Sequence, residues 1–173
     1  MSQLASFYSL DPAALPSLLR ATEPRAVEKG WFLFKRVVSE VDVEGKAFWS
    51  ALREQSVELE AFPWSGVPMS EFLSACAKHW SLDFASLPEA VASRRIGDFL
   101  GGYALLVTPD VRGRLRALLS QSMPSESALL QHITEDMTPE DTGLLEPMTA
   151  AGAVLIRCLD ALPEHRCGLL LIG

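Results

Sequence analysis

The residues best suited to chemistry lie in one short polar segment. His132 is followed by Glu135 and Asp136, at spacings of three and four residues. On an α-helix these spacings bring the three side chains to one side. Imidazole nitrogens and carboxylate oxygens are common ligands of zinc. If the segment is helical, His132, Glu135 and Asp136 form a candidate metal site.

The same segment also fits an ordinary solvated helix end that runs into the next cap at Thr138-Pro139. A metal site needs a further ligand, and the sequence does not indicate which residue supplies it. His79 is a further polar candidate, although a histidine at the end of a helix also suits the negative end of the helix dipole. His165 is expected at the surface, in a loop between a helix and a strand.

The sequence contains no recognisable catalytic nucleophile. Its three cysteines, Cys76, Cys158 and Cys167, are widely spaced and include no CxxC pair. An odd, scattered set of this kind predicts reduced, buried thiols and a cytoplasmic protein. No serine lies in a GxSxG motif. We expect no catalytic residue of the covalent type and no cofactor.

A second candidate site is the turn-rich segment AFPWSGVPM, residues 61–69. Phe62, Trp64 and Met69 surround a turn that contains Pro63 and Gly66. Aromatic side chains on a rigid loop can anchor a partner or a ligand. The alternative is that they fold back over the core.

The stretch IGDFLGGYALLVTPDVRGRLRALL, residues 96–119, resembles a phosphate loop only at first sight. It lacks the GxxxxGK[ST] pattern, and Gly101 and Gly102 precede the strand rather than follow it. Thr108 and the proline after it predict a helix start, and Asp110 would repel an anion there. Arg112 and the arginine four residues later are expected to lie along the edge of the apolar stripe. The segment is therefore predicted to be scaffold.

Composition limits the remaining functional classes. The chain has 173 residues, 49% of them hydrophobic, and a net charge of −7. This balance fits one globular domain over residues 1–173 and argues against a nucleic-acid partner. The longest apolar runs are far shorter than the roughly 20 residues of a membrane span, so no membrane association is expected. The sequence does not indicate an oligomeric state.

The elements predicted from periodicity are mostly helices, with strands near both termini and around residue 105. Strands are predicted at 4–10 and in the closing CGLLLIG, and helices after Asp11-Pro12, at 45–55, from a cap at Ser70, and from Thr138-Pro139. Residues 31–43 fit either a strand or a helix. Trp49 is expected in the core. The fold class is α+β, a mostly helical single domain around a small mixed sheet, with α/β as the alternative.

The order of these pieces resembles the YfbM-like family of uncharacterised bacterial proteins. The similar segments are SFYSLDPAALPSLL, VDVEGKAFWSAL, YALLVTPDVRGRLRALL and AAGAVLIRCLDALPEHRCGLLLIG. The resemblance implies a compact mixed α/β domain of bacterial origin and carries no activity.

Two functions follow as expectations. The first is a non-catalytic cytosolic module that binds a protein partner through residues 62–69. The alternative is a metal-dependent or small-ligand hydrolase whose site brings together His79, His132, Glu135 and Asp136 from distant parts of the chain.

Overall fold

The computed structural model describes residues 4–29, 36–40, 45–80, 84, 87–121, 123–136 and 143–173. Within these ranges the helices are α1 (Leu15–Ala21), α2 (Lys46–Gln55), α3 (Gly66–Trp80), α4 (Ala90–Leu100), α5 (Pro109–Gln121), α6 (Glu126–Asp136) and α7 (Leu145–Ala161). The strands are β1 (Leu4–Leu10), β2 (Arg25–Lys29), β3 (Arg36–Glu40), β4 (Ser56–Ser65), β5 (Tyr103–Val107) and β6 (Cys167–Ile172). This is the predicted mostly helical α+β fold.

The main sheet has the strand order β4-β1-β6-β5, and its pairings are all antiparallel. The expected mixed sheet is therefore wrong in its strand directions. Direction is set by long-range pairing, which local periodicity does not record. The chain ends pair directly, since Leu4 and Gly173 exchange backbone hydrogen bonds of 3.0 and 3.1 Å.

Helices cover both faces of this sheet. Alternate residues of β1, β5 and β6 point to opposite faces, as a strand requires. Phe7, Leu105 and Leu170 join a core with residues of α3, α5, α6 and α7. Leu106 and Leu169 join a second core with residues of α1, α2 and α4. The sheet is thus the middle of three layers.

Burial on both faces explains the sequence of β6. All six of its residues are buried, which is why CGLLLI is continuously apolar rather than alternating. The prediction of a buried closing strand is confirmed. At the free edge of β5, the hydroxyl of Ser93 in α4 accepts the Leu106 N–H at 2.9 Å, so that α4 closes this edge.

The start of the chain follows its local signals. The predicted strand is β1, and the Asp11 side chain accepts a hydrogen bond of 2.8 Å from the Ala13 N–H. A short 3-10 turn at Pro12–Ala14 then leads into α1. Both the cap and the proline at the first helical position agree with the prediction.

The segment predicted to be a turn at 62–68 is instead the end of β4 and the start of α3. Proline is tolerated in the first turn of a helix because its missing N–H would have no intrahelical partner there. Pro68 therefore lies inside α3, and Ser70, predicted as the cap, is four residues beyond the helix start. The composition of the segment indicated a loop, but its long-range pairing with β1 overrides this.

Three further expectations have different outcomes. Trp49 is 39% exposed, whereas Phe48 and Leu52 on the same helix are buried, so its assignment to the core is wrong. Of the ambiguous stretch 31–43, residues 36–40 form β3, and 31–35 and 41–43 lie outside the described residues. The predicted helix start at 138–139 also lies outside them, and α7 begins at Leu145.

The glycine-rich stretch forms the end of α4, then β5 and the start of α5, so its two glycines precede the strand as predicted. Gly101 ends α4 with φ of 67°, in the left-handed region that glycine adopts without strain. Arg112 does more than line an apolar edge, since its Nε donates to the Leu159 carbonyl at 2.9 Å. Arg116 Nε donates to Asp160 at 2.8 Å, so the two arginines fasten α5 to the end of α7. Among the described residues, no helix is long and apolar enough to cross a membrane.

Gly102, directly before β5, lies very close to the backbone of β6. A Cβ there would lie 2.1 Å from the carbonyl oxygen of Ile172, which is held in the sheet from both sides. We expect Gly102→Ala to lower the free energy of unfolding by about 1–3 kcal/mol or more through overpacking. Urea denaturation measures this value.

Gly113 is the matched control. It lies in α5, is exposed and would have nothing within 4 Å of an added Cβ. Gly113→Ala is expected to raise the free energy of unfolding by about 0.4–1 kcal/mol. Equal stability of the two alanine variants would contradict the assigned close contact at Gly102.

Burial raises the pKa of the Cys76 and Cys158 thiols to about 12, from an ordinary 9.0. The neutral thiol therefore favours the folded state. The contribution of the two neutral thiols to the free energy of unfolding is complete below about pH 9. It is lost as the pH rises from about 9 to about 12. We expect native protein to resist thiol-labelling reagents at mildly alkaline pH, while urea-unfolded protein reacts at all three cysteines. Rapid labelling of Cys76 or Cys158 in native protein would disprove this.

Candidate metal centre

The ends of two helices meet at a cluster of polar side chains. Lys78 and His79 lie in the last turn of α3, and His132 and Asp136 lie in the last two turns of α6. His132 is only 1% exposed and is flanked along α6 by the core residues Leu129 and Ile133. The C-terminal end of a helix carries partial negative charge, which favours a cation nearby.

Three potential ligand atoms converge in this cluster. One ligand atom from each of His79, His132 and Asp136 lies within 4.8 Å of the other two. His79 Nε2 is 3.2 Å from His132 Nδ1, and His132 Nδ1 is 2.8 Å from Asp136 Oδ2. The imidazole planes are nearly perpendicular, at 84°, so the rings meet through these nitrogens rather than by stacking.

These distances resemble the edges of a tetrahedral zinc site. Ligand atoms about 2.0–2.1 Å from zinc lie about 3.3 Å from one another. The separation of 3.2 Å between the two nitrogens is close to this value. The nitrogen-to-carboxylate separation of 2.8 Å is shorter and is typical of a hydrogen-bonded pair, and Asp136 is exposed.

Proton positions cannot satisfy every close pair when the two imidazoles are neutral. If His132 Nδ1 carries the proton, that N–H donates to Asp136. The Nε2 atom then has only a lone pair, and no donor among the described residues reaches it. If Nε2 carries the proton, the Nδ1 lone pair faces the Asp136 carboxylate. A cation among the three ligand atoms would satisfy all of them together.

The buried nitrogen of His132 faces a second carboxylate. His132 Nε2 has no hydrogen-bond partner among the described residues, and Glu71 Oε2 lies 3.7 Å away. Glu71 is on α3, eight residues before His79, and therefore on the same side of that helix. The His132 ring thus has Glu71 near one nitrogen and the ligand atoms of His79 and Asp136 near the other.

Lys78 already supplies a positive charge to Asp136. Its Nζ lies 2.6 Å from both carboxylate oxygens. The hydrogen bond from Lys78 lowers the pKa of Asp136 below its ordinary value, and the charges of Lys78, His132 and His79 add to this effect. Asp136 is therefore kept ionised, which is the form that binds a metal.

The structure rearranges the predicted metal triad. His132 and Asp136 come together, but Glu135 accepts a hydrogen bond of 2.7 Å from Gln131 instead. Its place is taken by His79, which lies 53 residues earlier in the chain. Spacing within α6 indicated two of the three, whereas the partner on α3 depends on helix packing that the sequence pattern does not record.

Two of the residues predicted to bind a partner are buried. Phe62 and Met69 are 4% and 1% exposed and belong to the main core, so they are not available to a partner. The side chain of Trp64 lies outside the described residues. His165 is exposed between α7 and β6, as predicted.

No protein-family model, curated protein or solved structure matches this chain. The resemblance to the YfbM-like family stays a prediction.

Proposed function

We propose that the protein binds a divalent transition-metal ion, zinc in the first instance, through His79 Nε2, His132 Nδ1 and the Asp136 carboxylate. The observation that carries this proposal is the convergence of three ligand atoms within 4.8 Å around a buried imidazole. Two imidazoles and one carboxylate form a donor set that suits zinc better than the all-oxygen sites of calcium or magnesium.

The electrostatic setting supports a cation at this position. Asp136 is ionised, Glu71 adds a second carboxylate 3.7 Å from His132, and two helix C-termini lie beside the cluster. Lys78 occupies the cation's place beside Asp136. It is on the surface, with 48% of its side chain exposed, and it can turn into solvent when a metal binds.

The three ligands found among the described residues leave one position of a tetrahedral ion for a small molecule. Closed structural zinc sites use four protein ligands, whereas catalytic sites use three. Hydrolysis is therefore the reaction class to examine once metal binding has been established. The binding of a protein partner remains a prediction for which Phe62 and Met69 provide no accessible surface.

Metal binding is tested by titration of the purified chain with Zn²⁺ in competition with a chromophoric chelator. We expect one ion per chain, and we expect His79→Ala and Asp136→Asn to weaken binding at least about tenfold, or 1.4 kcal/mol. Both altered side chains are exposed, so the variants leave the core intact.

Two matched variants make the test specific. His165→Ala removes an exposed histidine outside the cluster, and Glu135→Gln removes the carboxylate adjacent to Asp136 in sequence. Both are expected to bind zinc as the unaltered chain does. Equal affinity in all four variants, or no saturable binding to the unaltered chain, would overturn the proposal.

A second prediction concerns Lys78, which competes with the ion for Asp136. An exposed ion pair of this kind is weak, so Lys78→Gln is expected to tighten zinc binding up to about fivefold. Lys46→Gln, at the exposed start of α2, is the control for the loss of a positive charge. Weaker binding by Lys78→Gln than by Lys46→Gln would mean that Lys78 supports the site.

A further inference from the structure

We propose that the cavity between α4 and β5 binds a small zwitterionic carboxylate, namely an α-amino acid with an apolar side chain. None of the described residues that line this cavity belongs to the candidate metal centre, so the inference is independent of metal binding. It rests on a backbone N–H that the packing of α4 leaves open and on two charged side chains that line the same cavity.

The first step is the edge of β5 that faces α4. The Gly102 N–H donates to the Gly97 carbonyl at 3.0 Å, and the Leu106 N–H donates to the Ser93 hydroxyl at 2.9 Å. Alternate residues of an edge strand present their N–H groups to the same side, so the Ala104 N–H also faces α4. No acceptor for it occurs among the described residues of α4. Ala104 is 4% exposed, and a buried N–H without a partner is rare.

The second step is the glycine opposite this N–H. A Cβ at Gly97 would lie 3.2 Å from the Ala104 nitrogen and 3.0 Å from the Gly102 carbonyl oxygen, so a side chain there would crowd the open N–H. A peptide strand needs a run of alternate residues with which to pair, whereas α4 covers the N–H groups on both sides of Ala104. The open N–H therefore suits a small molecule and not an added strand.

The third step is the size of the cavity and the nature of its walls. Its volume is about 220 Å³, which is below the roughly 300–1,000 Å³ of sites for drug-sized ligands. Phe84, Ala90 and Leu105 line it, and Phe84 and Leu105 are buried. This space fits a ligand of amino-acid size whose side chain is apolar.

The fourth step is a pair of opposite charges that line the cavity. Arg94 and Asp98 are four residues apart on α4, which places them on the same side of the helix. Both are exposed, and neither forms an ion pair with a described residue, whereas the adjacent Arg95 pairs with Glu23 at 2.7 Å. A carboxylate accepts from Arg94 and from the open N–H, and an ammonium group donates to Asp98. An α-amino acid carries both of these groups.

Binding is tested by nitrogen-15 NMR titration of the purified chain with L-alanine, L-valine and L-leucine in turn. We expect at least one of them to shift the backbone amide signal of Ala104 saturably, with half-saturation below about 1 mM. Two analogues of the bound amino acid are the matched ligands, one with a carboxamide in place of the carboxylate and one without the amino group. Each is expected to bind at least about tenfold more weakly, because it lacks one charged group.

Matched variants assign the charges. Arg94→Gln and Asp98→Asn are expected to weaken binding at least about tenfold, because each removes a charged partner of the ligand. Both side chains are exposed, so the variants leave the core intact. Arg114→Gln and Glu164→Gln remove exposed charges outside the cavity and are expected to bind as the unaltered chain does.

The proposal is overturned if none of the three amino acids shifts the Ala104 signal saturably. Equal binding of the analogues that lack a charged group, or equal affinity in all four variants, would also overturn it. The titration is carried out with a chelator and without metal, so its result and the zinc titration can fail separately.

Discussion

The complete burial of β6 is the constraint on which the rest of the structure depends. A strand of six buried residues needs a hydrogen-bonding neighbour on each edge and an apolar layer on each face. β1 and β5 are the two neighbours of β6, and both lie far from it in the sequence. Helices α3, α5, α6 and α7 cover one face and α1, α2 and α4 the other. The last strand in the sequence therefore organises all the layers.

The candidate metal centre follows from how one of these layers packs. Met148, Leu155 and Leu159 of α7 occupy the same core as Phe72 of α3 and Leu129 of α6. Gly152 lets the helices approach closely, because a Cβ there would lie 2.7 Å from Phe72 Cζ. The ends of α3 and α6 are thus brought together by apolar contacts, and the polar cluster forms where this packing reaches the surface.

Local signals were sufficient for the elements whose residues act within one turn. Asp11 and Pro12 predict a helix start, and the apolar run from Cys167 predicts a doubly buried strand. The local signals failed at 62–68, where prolines and a glycine indicate a loop. The first part of this segment instead pairs with β1, and the second part is the first turn of α3, where proline is tolerated. Trp49 was misplaced for a similar reason. The spacing of apolar residues identifies the helix. It does not show which of the residues in a wide apolar stripe the sheet covers, and Trp49 lies outside the covered part.

The candidate metal site shows the same limit at the level of side chains. The spacing of His132 and Asp136 is a property of one helix and can be predicted from the sequence. The addition of His79 depends on the distance and rotation between two helices, which side chains far from the cluster determine. Glu135 was predicted as a ligand because it lies on the same helix as His132. It is adjacent to Asp136 in sequence, points in a different direction around the helix, and accepts a hydrogen bond from Gln131. The sequence thus indicates two of the three candidate ligands, and helix packing adds the third.

The burial of His132 distinguishes this cluster from an ordinary acidic helix end. An apolar side chain at position 132 would continue the stripe of Leu129 and Ile133 and leave no polar atom without a partner. The imidazole instead brings one nitrogen toward Glu71 and the other toward two more ligand atoms. Lys78 neutralises Asp136 from the solvent side, but it does not reach the inner pair in the described contacts. A metal ion between the two histidine nitrogens is therefore a proposal that rests on the buried imidazole and the two ligand atoms beside it.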